Sequence, residues 1–403
     1  MCFSNLPPKL QEDIIRPLPE ATLQSLCLVS KSILALTRPL LYRHVSLRAT
    51  GVYYCAFTTE NGQVVRRDVG WINWEDKDVQ NALPDMMRQA KLCNSLLEAH
   101  PDLTSSVESL KISLDGTLVL EACQYGRLLT LFRTTLAKLS VVRERQGYDN
   151  VNNAFLLKHC PRTLKHLELS GSPLSEDDVY DLLQQLPLLE SLSLRDCDAS
   201  QGQPSPSRPT SLPRLRHLSL WSLERRPSFY ATVQRACPFL QSLSIDYTSI
   251  KSIDPAYLSK ISHLVIRDDG LGHTSTPEEL SIRLVSILVS SDSLNSFKFQ
   301  NMFPWSKQYL YVFQFELDRI LHHLPSSLVE LTLDSIYFSP SYLIDFLSTS
   351  DTTISLRTLN VSHMIKEFQR SRKVYDRVAD EIVEDICEER KIELTWVDEI
   401  SSY

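Results

Sequence analysis

One six-residue phrase, L-x-x-L-x-L, recurs along the chain: LKHLEL at 164–169, LESLSL at 189–194, LRHLSL at 215–220, LQSLSI at 240–245, LVELTL at 328–333 and LRTLNV at 356–361. Looser copies are VESLKI at 107–112, LAKLSV at 136–141, ISHLVI at 261–266 and LNSFKF at 294–299, and a last strand-like run, IELTW, occupies 392–396. In an extended strand alternate side chains face opposite sides, so Leu167 and Leu169 enter a core while His166, Glu168 and Ser170 line the other face. Between these phrases the apolar period becomes helical. Val179, Leu182, Leu183 and Leu186 share one helix face, with Ser175 as its cap, and Leu280, Leu284, Ile287 and Leu288 share another. The second carries Thr276 as cap, Pro277 in the first turn and Glu279 three residues after the cap. Phe313, Leu317, Ile320, Leu321 and Leu324 make a third. Strand plus helix, repeated about ten times, predicts an α/β array in which each unit buries its apolar face only against its neighbours.

The phrase and its mean spacing of about 28 residues resemble the leucine-rich repeat, over roughly residues 100–396. That resemblance implies a solenoid with a curved parallel sheet inside and helices outside. Cys160-Pro161, Cys237-Pro238 and Cys197 are similar to the cysteine-containing repeats of ubiquitin-ligase receptors; ordinary small buried residues explain them equally well.

Residues 6–44 follow a different pattern. Leu6, Leu10, Ile14 and Leu18 recur every fourth residue, with Pro17 predicted to stop the first helix at about Arg16. Leu23, Leu26 and Cys27 begin a second helix, and Ile33, Leu34, Leu36, Leu40 and Leu41 mark a third. Forty residues bury too little surface to be stable unaided, so this module needs the repeats, a partner, or both. Leu6-Pro7-Pro8-x-Leu10, Ile14-Ile15, Leu18-Pro19, Leu23-x-x-Leu26, Leu28-Val29-Ser30-Lys31 and the closing Pro39-Leu40-Leu41-Tyr42-Arg43-His44 together resemble the F-box. The ending LLYRHVSL, running straight into a first strand, is similar to fungal F-box proteins with repeat bodies.

The F-box resemblance implies binding to a Skp-family adaptor, and through it to a cullin and a ubiquitin-conjugating enzyme. It places adaptor contact on Leu6, Pro7, Leu10, Ile14, Leu18, Leu23, Leu26, Val29 and Ile33, each of which is otherwise a core residue of the module. Ile33 stands where the family has an aromatic, and Pro17 where it stays helical; both departures imply a weaker contact. The resulting organisation is an F-box at 1–47, a linking region at 48–100, repeats at 101–364 and a C-terminal helix with a last strand at 365–403.

In the linking region two strand-like runs flank Asn61-Gly62, a strong hairpin signal. The flap carries Tyr53, Tyr54, Phe57, Trp71 and Trp74, which either anchor a partner or seal a sheet end. Residues 198–213, DASQGQPSPSRPTSLP, lack the apolar content to offset ordering and are predicted to be a disordered loop. Residues 365–390 read as a charged helix with Phe368, Tyr375, Val378 and Ile382 on its apolar face, capping the repeats.

Composition narrows the functional classes. The 403 residues are 43% hydrophobic and 23% charged, with a net charge of −7 that argues against nucleic acid and anionic membranes as partners. The opening residues lack a basic stretch followed by an apolar one, and no later run is long and apolar enough to span a bilayer, so neither export nor membrane insertion is expected. Nine scattered cysteines without a C-x-x-C pair point to reduced, mostly buried thiols, hence to cytoplasm or nucleus.

Signals for chemistry are missing from the same reading. Gly270-Leu271-Gly272 lacks the rest of a phosphate loop, and adjacent His322 and His323 point about 100° apart on a helix, unlike a chelating i, i+4 pair. No nucleophile signature is present, so no enzyme, cofactor or metal is expected.

What remains is the inner face of the sheet, where His166, Glu168, Arg195, His217, Trp221, Asp246, Arg267, Lys298 and Asp334, together with Ser244, Gln300 and Asn360, are presented in register. Trp221 is the residue type that dominates interface energies, and the alternating charges select a partner unless the face is simply solvated. With the two resemblances, this predicts a substrate receptor of a ubiquitin ligase that holds an unidentified protein target. The alternative is a non-catalytic repeat scaffold or ligand-binding protein outside any ligase.

Overall fold

The apolar positions of the repeated phrase stand in register from strand to strand in the parallel pairs. The computed structural model describes residues 6–48, 56–60, 63–67, 95, 98–114, 125–143, 159–170, 176–195, 214–221, 236–268, 277–301, 320–334, 340–349, 355–362, 365–369 and 372–397. Two compact units divide the chain, 1–202 and 203–403. Among the described residues no helix is long and apolar enough to cross a membrane.

The first unit opens with three helices, α1 (Pro8–Ile15), α2 (Glu20–Leu26) and α3 (Lys31–Leu41). Helix α1 ends two residues before Pro17, whose ring disfavours helical geometry in the residue ahead of it. Ser30 caps α3, its Oγ accepting the Ile33 N–H at 3.2 Å. Ile15, Leu23 and Thr37 are the buried residues of this module. Thr37 donates its hydroxyl to the Ile33 carbonyl at 2.8 Å and lies 3.0 Å from Cys27 Sγ, so the core's one polar atom is satisfied.

Strand β1 (His44–Arg48) follows at once, and the antiparallel pair β2 (Ala56–Glu60) and β3 (Gln63–Arg67) brackets Asn61 and Gly62, with Glu60 opposite Gln63. Next come α4 (Pro101–Thr104), β4 (Ser109–Leu114), α5 (Tyr125–Leu131), β5 (Lys138–Arg143), β6 (His166–Ser170), α6 (Glu176–Gln185) and β7 (Ser191–Arg195). Strands β1, β4, β5, β6 and β7 are parallel neighbours in that order, with Val45, Leu110, Leu139, Leu167 and Leu192 in one row. These leucines are fully buried, as are Leu182, Leu183 and Leu186 of α6. Arg43 donates from Nε and Nη2 to Glu108 Oε2 at 2.8 and 2.7 Å, tying the end of α3 to the turn before β4.

The second unit contains β8 (His217–Trp221), β9 (Ser242–Asp246), a 3₁₀ turn (Tyr247–Ser252), α7 (Pro255–Leu258), β10 (His263–Asp268), α8 (Pro277–Val289), β11 (Ser296–Asn301) and β12 (Glu330–Asp334). It continues with α9 (Pro340–Thr349), β13 (Thr358–Ser362), β14 (Ile365–Gln369), β15 (Arg372–Tyr375), α10 (Arg377–Arg390) and β16 (Glu393–Val397). Strands β8 to β13 and then β16 run parallel, and Leu218, Leu243, Leu264, Phe297, Leu331, Leu359 and Leu394 share one row. One copy, 294–299, has phenylalanine at two positions where others have aliphatic residues, and its Phe299 meets Tyr247 edge-on at 5.6 Å between ring centres.

Main-chain hydrogen bonds link successive repeats just before each strand. The N–H groups of Ala137 and Lys138 both donate to the Glu108 carbonyl (2.8 and 2.9 Å), and those of Lys165 and His166 both donate to Ala137 (2.8 and 3.0 Å). Gln241 and Ser242 do the same to Arg216, Ser262 and His263 to Gln241, and Asn295 and Ser296 to Ser262. Hydroxyls reinforce the join: Thr163 donates to the Leu136 carbonyl at 2.8 Å, Ser293 to Ser259 at 2.6 Å and Ser327 to Leu294 at 2.8 Å. Buried turn carbonyls are thereby satisfied without side chains of fixed identity.

The C-terminal stretch departs from the sequence reading. Residues 365–375 form the antiparallel β14/β15 pair, and the helix starts only at Arg377, where Asp376 accepts the Ala379 N–H at 3.2 Å. An N-cap aspartate resets the backbone and separates Phe368 and Tyr375 from the helix. Its buried face is Ala379, Val383 and Cys387, one residue round from the expected Val378 and Ile382, which are exposed. Lys391 ends the helix in the left-handed region (φ 59), and Ile392 N–H bonds back to the Cys387 carbonyl at 2.8 Å. The loop at 198–213, Tyr53, Tyr54, Trp71, Trp74, Ser175, Thr276, Phe313 and Leu317 lie outside the described residues.

Candidate functional site

Two surfaces answer to the residues singled out by sequence. The first is the N-terminal module. Of the nine candidate adaptor contacts, Pro7, Leu10, Ile14 and Val29 are exposed, and Leu6, Leu18, Leu26 and Ile33 are half-buried. Leu23 is a correction: it is buried with Ile15 and serves as core, because its place in α2 faces the seam with the other helices.

Two further apolar residues stand out in solvent. Leu28 is 88% exposed, beside Val29 at 64%, and Leu34 is exposed on α3. Leu28 and Val29 occupy the turn between α2 and the Ser30 cap, so neither lies on a helix face that could reach the core. Leu34 sits three residues before buried Thr37 and faces outward. Leu10, Ile14, Leu28, Val29 and Leu34 give a forty-residue module more exposed than buried large apolar side chains, the reverse of a self-sufficient domain. Residues 6–48 carry six Lys/Arg against three acids in a chain of net −7, so this surface is also locally basic.

The second surface is the strand face opposite the leucines. In the first unit His166, Glu168 and Arg195 are exposed, and Ser140 donates its hydroxyl to Glu168 Oε2 at 2.6 Å from the neighbouring strand. In the second unit five of the predicted residues come together on adjacent strands. Trp221 donates its indole N–H to Ser244 Oγ at 2.7 Å, and the Arg267 guanidinium lies 3.0 Å over the Trp221 ring. Arg267 is in register with Asp246 on one side and Gln300 on the other. Lys298 Nζ is 3.5 Å from Asp334 Oδ2, and Gln300 donates its amide to the same oxygen at 2.8 Å. His217 is exposed at the far end of its strand.

This geometry corrects the picture of an open row of alternating charges. Asp246 and Asp334 are buried, Asp334 to 2% exposure, as are Ser244 and Gln300. The Asp334 carboxylate is spent on Gln300 and Lys298, since a buried charge is tolerated only when paired and hydrogen-bonded. Trp221 likewise has one ring face and its N–H already engaged. Arg267 and Lys298 are half-buried, while Glu168 and Arg195 of the first unit stay exposed. The signal was readable in part: acids at the last strand position, flanked on the next strand by Arg or Gln, are cross-strand partners before they are ligands.

Among the described residues no group of three or more His, Cys, Asp and Glu could hold a metal ion. His322 pairs with Asp345 at 3.6 Å. Cys27, Cys160, Cys237 and Cys387 are free, Cys237 and Cys387 buried. Desolvation pushes the Cys160 and Cys237 thiols up to about 12 and Cys387 to about 11, which leaves them protonated and unreactive at neutral pH. Burial also raises Tyr257, whose hydroxyl donates to the Cys237 carbonyl at 3.0 Å.

No protein-family profile matches the chain, and no curated protein matches its sequence. Among solved structures it is similar to the leucine-rich repeat-containing protein LegL7 from Legionella pneumophila, at 13% identity, with a TM-score of 0.38 over 70% of this chain and 91% of that one. The α/β architecture, parallel strands whose leucine rows are buried in register, rests on the chain's own pairing and burial.

Proposed function

We propose that this chain is the substrate-recruiting subunit of a Skp–cullin–F-box type ubiquitin ligase, without catalytic residues of its own. The N-terminal module docks on a Skp-family adaptor, and the repeat sheet holds the target protein. The observation that carries the reading is the set of exposed apolar side chains on a module that resembles the F-box: Leu10, Ile14, Leu28, Val29 and Leu34. Full burial of one such side chain contributes ~1.5–3 kcal/mol, enough across five to offset the cost of association. The local excess of Lys and Arg favours an acidic adaptor surface. On the sheet, the half-buried Arg267 and Lys298 favour a target segment that offers acceptors.

The test is recovery of a Skp-family adaptor by the full chain and by Leu10→Asp/Ile14→Asp. Both positions are solvent-exposed, so the variant should unfold at the same temperature as the parent while adaptor recovery falls about tenfold or more. Equal recovery with both proteins, or no recovery with either, leaves a repeat scaffold that works outside a ligase.

A further inference from the structure

Helix α10 carries two apolar stripes, and only one is used. Ala379, Val383 and Cys387 recur every fourth residue and are buried. They form the seam against α9 and β16, closed at its edges by Arg390 donating to the Ser348 carbonyl at 2.8 Å and Trp396 donating to Glu384 Oε1 at 2.8 Å. Val378, Ile382 and Ile386 recur with the same spacing one residue round the helix. Val378 is 66% exposed and Ile382 41%, while Ile386 is half-buried where the two stripes converge. A surface helix normally turns polar at that angle. Here the polar residues begin further round and are acidic apart from exposed Arg377 at the start of the helix.

Glu381, Asp385, Glu388 and Glu389 are all exposed along the outer edge of the free stripe, and none has an ion-pair partner among the described residues. Such a row of like charges on one helix opposes its folding. We propose that the outer face of α10 is a docking surface for a basic amphipathic helix of a partner protein, with apolar residues four apart flanked by lysine or arginine. The stripe's i, i+4, i+8 spacing is the ridge that packs into the groove of another helix. The acidic rim selects the partner's charge, and it disfavours a second copy of this chain, since two such rims would face each other. The proposal is independent of the N-terminal module and of the ligase reading.

The experiment titrates the full chain against a fluorescent 18-residue Leu/Lys peptide with leucines at i, i+3, i+4 and i+7. A Leu/Glu peptide of the same pattern and a scrambled Leu/Lys peptide serve as controls, all followed by anisotropy. Wild type should bind the patterned Leu/Lys peptide at least tenfold more tightly than either control. Val378→Ser/Ile382→Ser should lose about tenfold in affinity with an unchanged unfolding midpoint, since both side chains are exposed. Glu381→Gln/Asp385→Asn/Glu389→Gln should bind more weakly and with less salt dependence. Equal affinity for all three peptides, or indifference to Val378→Ser/Ile382→Ser, overturns the proposal. So does a concentration-dependent dimer in sedimentation that this variant dissolves, which would assign the stripe to a second copy.

Discussion

The N-terminal module and the repeat sheets spend their apolar residues in opposite ways. In the repeats nearly every leucine of the phrase is fully buried, and row after row stacks in register from strand to strand. The module buries Ile15 and Leu23 around Thr37 and leaves Leu10, Ile14, Leu28, Val29 and Leu34 outside. The same residue type therefore stands in two settings in one chain: closed within an array, and exposed on the module. The difference follows from geometry. A strand–helix repeat always has a neighbour to cover its apolar face, whereas three short helices enclose too little volume to cover their own.

The largest effect that sharpens this contrast is in the repeat core. Phe299→Ala removes a ring packed against Tyr247 and should cost about 3–5 kcal/mol in urea unfolding, while Leu28→Ala stays within about 0.5 kcal/mol. Comparable losses at the two sites would erase the distinction. The two sheet faces offer the next test. Asp334→Ala strands the buried Gln300 amide and removes the partner of half-buried Lys298, and should cost ~1–3 kcal/mol, whereas His166→Ala, on an exposed residue, should be near neutral. A neutral Asp334→Ala would mean that the wall is open after all.

A smaller gain is expected at Lys391, whose φ of 59 is a conformation glycine adopts without a Cβ penalty. Lys391→Gly should stabilise by about 0.5–1 kcal/mol, visible as a higher unfolding midpoint. The smallest effect is in pH. The thiols of Cys237 and Cys387 have pKa values raised from the ordinary 9.0 to about 12 and about 11, so their contribution is intact below pH 9. Above it the unfolded chain loses these protons first, and stability falls between pH 9 and about 12. A midpoint that rises over that range would contradict the burial of both thiols.

Much of the fold was legible because one physical rule, alternation in strands, repeats at a near-constant interval. Leu110, Leu167, Leu243 and Leu331 could be assigned to core from spacing alone. The turn hydroxyls of Thr163, Ser293 and Ser327 were missed, because their role needs the preceding repeat's carbonyl in space. What failed at 365–382 was phase. Val378 and Ala379 differ by one position, and only the Asp376 cap decides which of them faces inward. On the inner wall, sequence placed Trp221, Asp246, Arg267, Lys298 and Asp334 on the right face. It could not say that Asp246 and Asp334 would be buried or that Asp334 would be consumed by Lys298 and Gln300, since that depends on side-chain reach across strands.

The join between repeats, in which one turn carbonyl receives two N–H groups from the following turn, involves no particular side chain at all. A whole copy of the phrase with its helix can therefore be gained or lost at such a join, and the flanking copies will still find the partners they had. Length, and with it the number of residues displayed on the inner face, becomes a quantity that duplication can adjust in steps of one repeat. The repeat array is in that sense extensible, whereas the N-terminal helices, with α1 and α2 both packed on α3, are not.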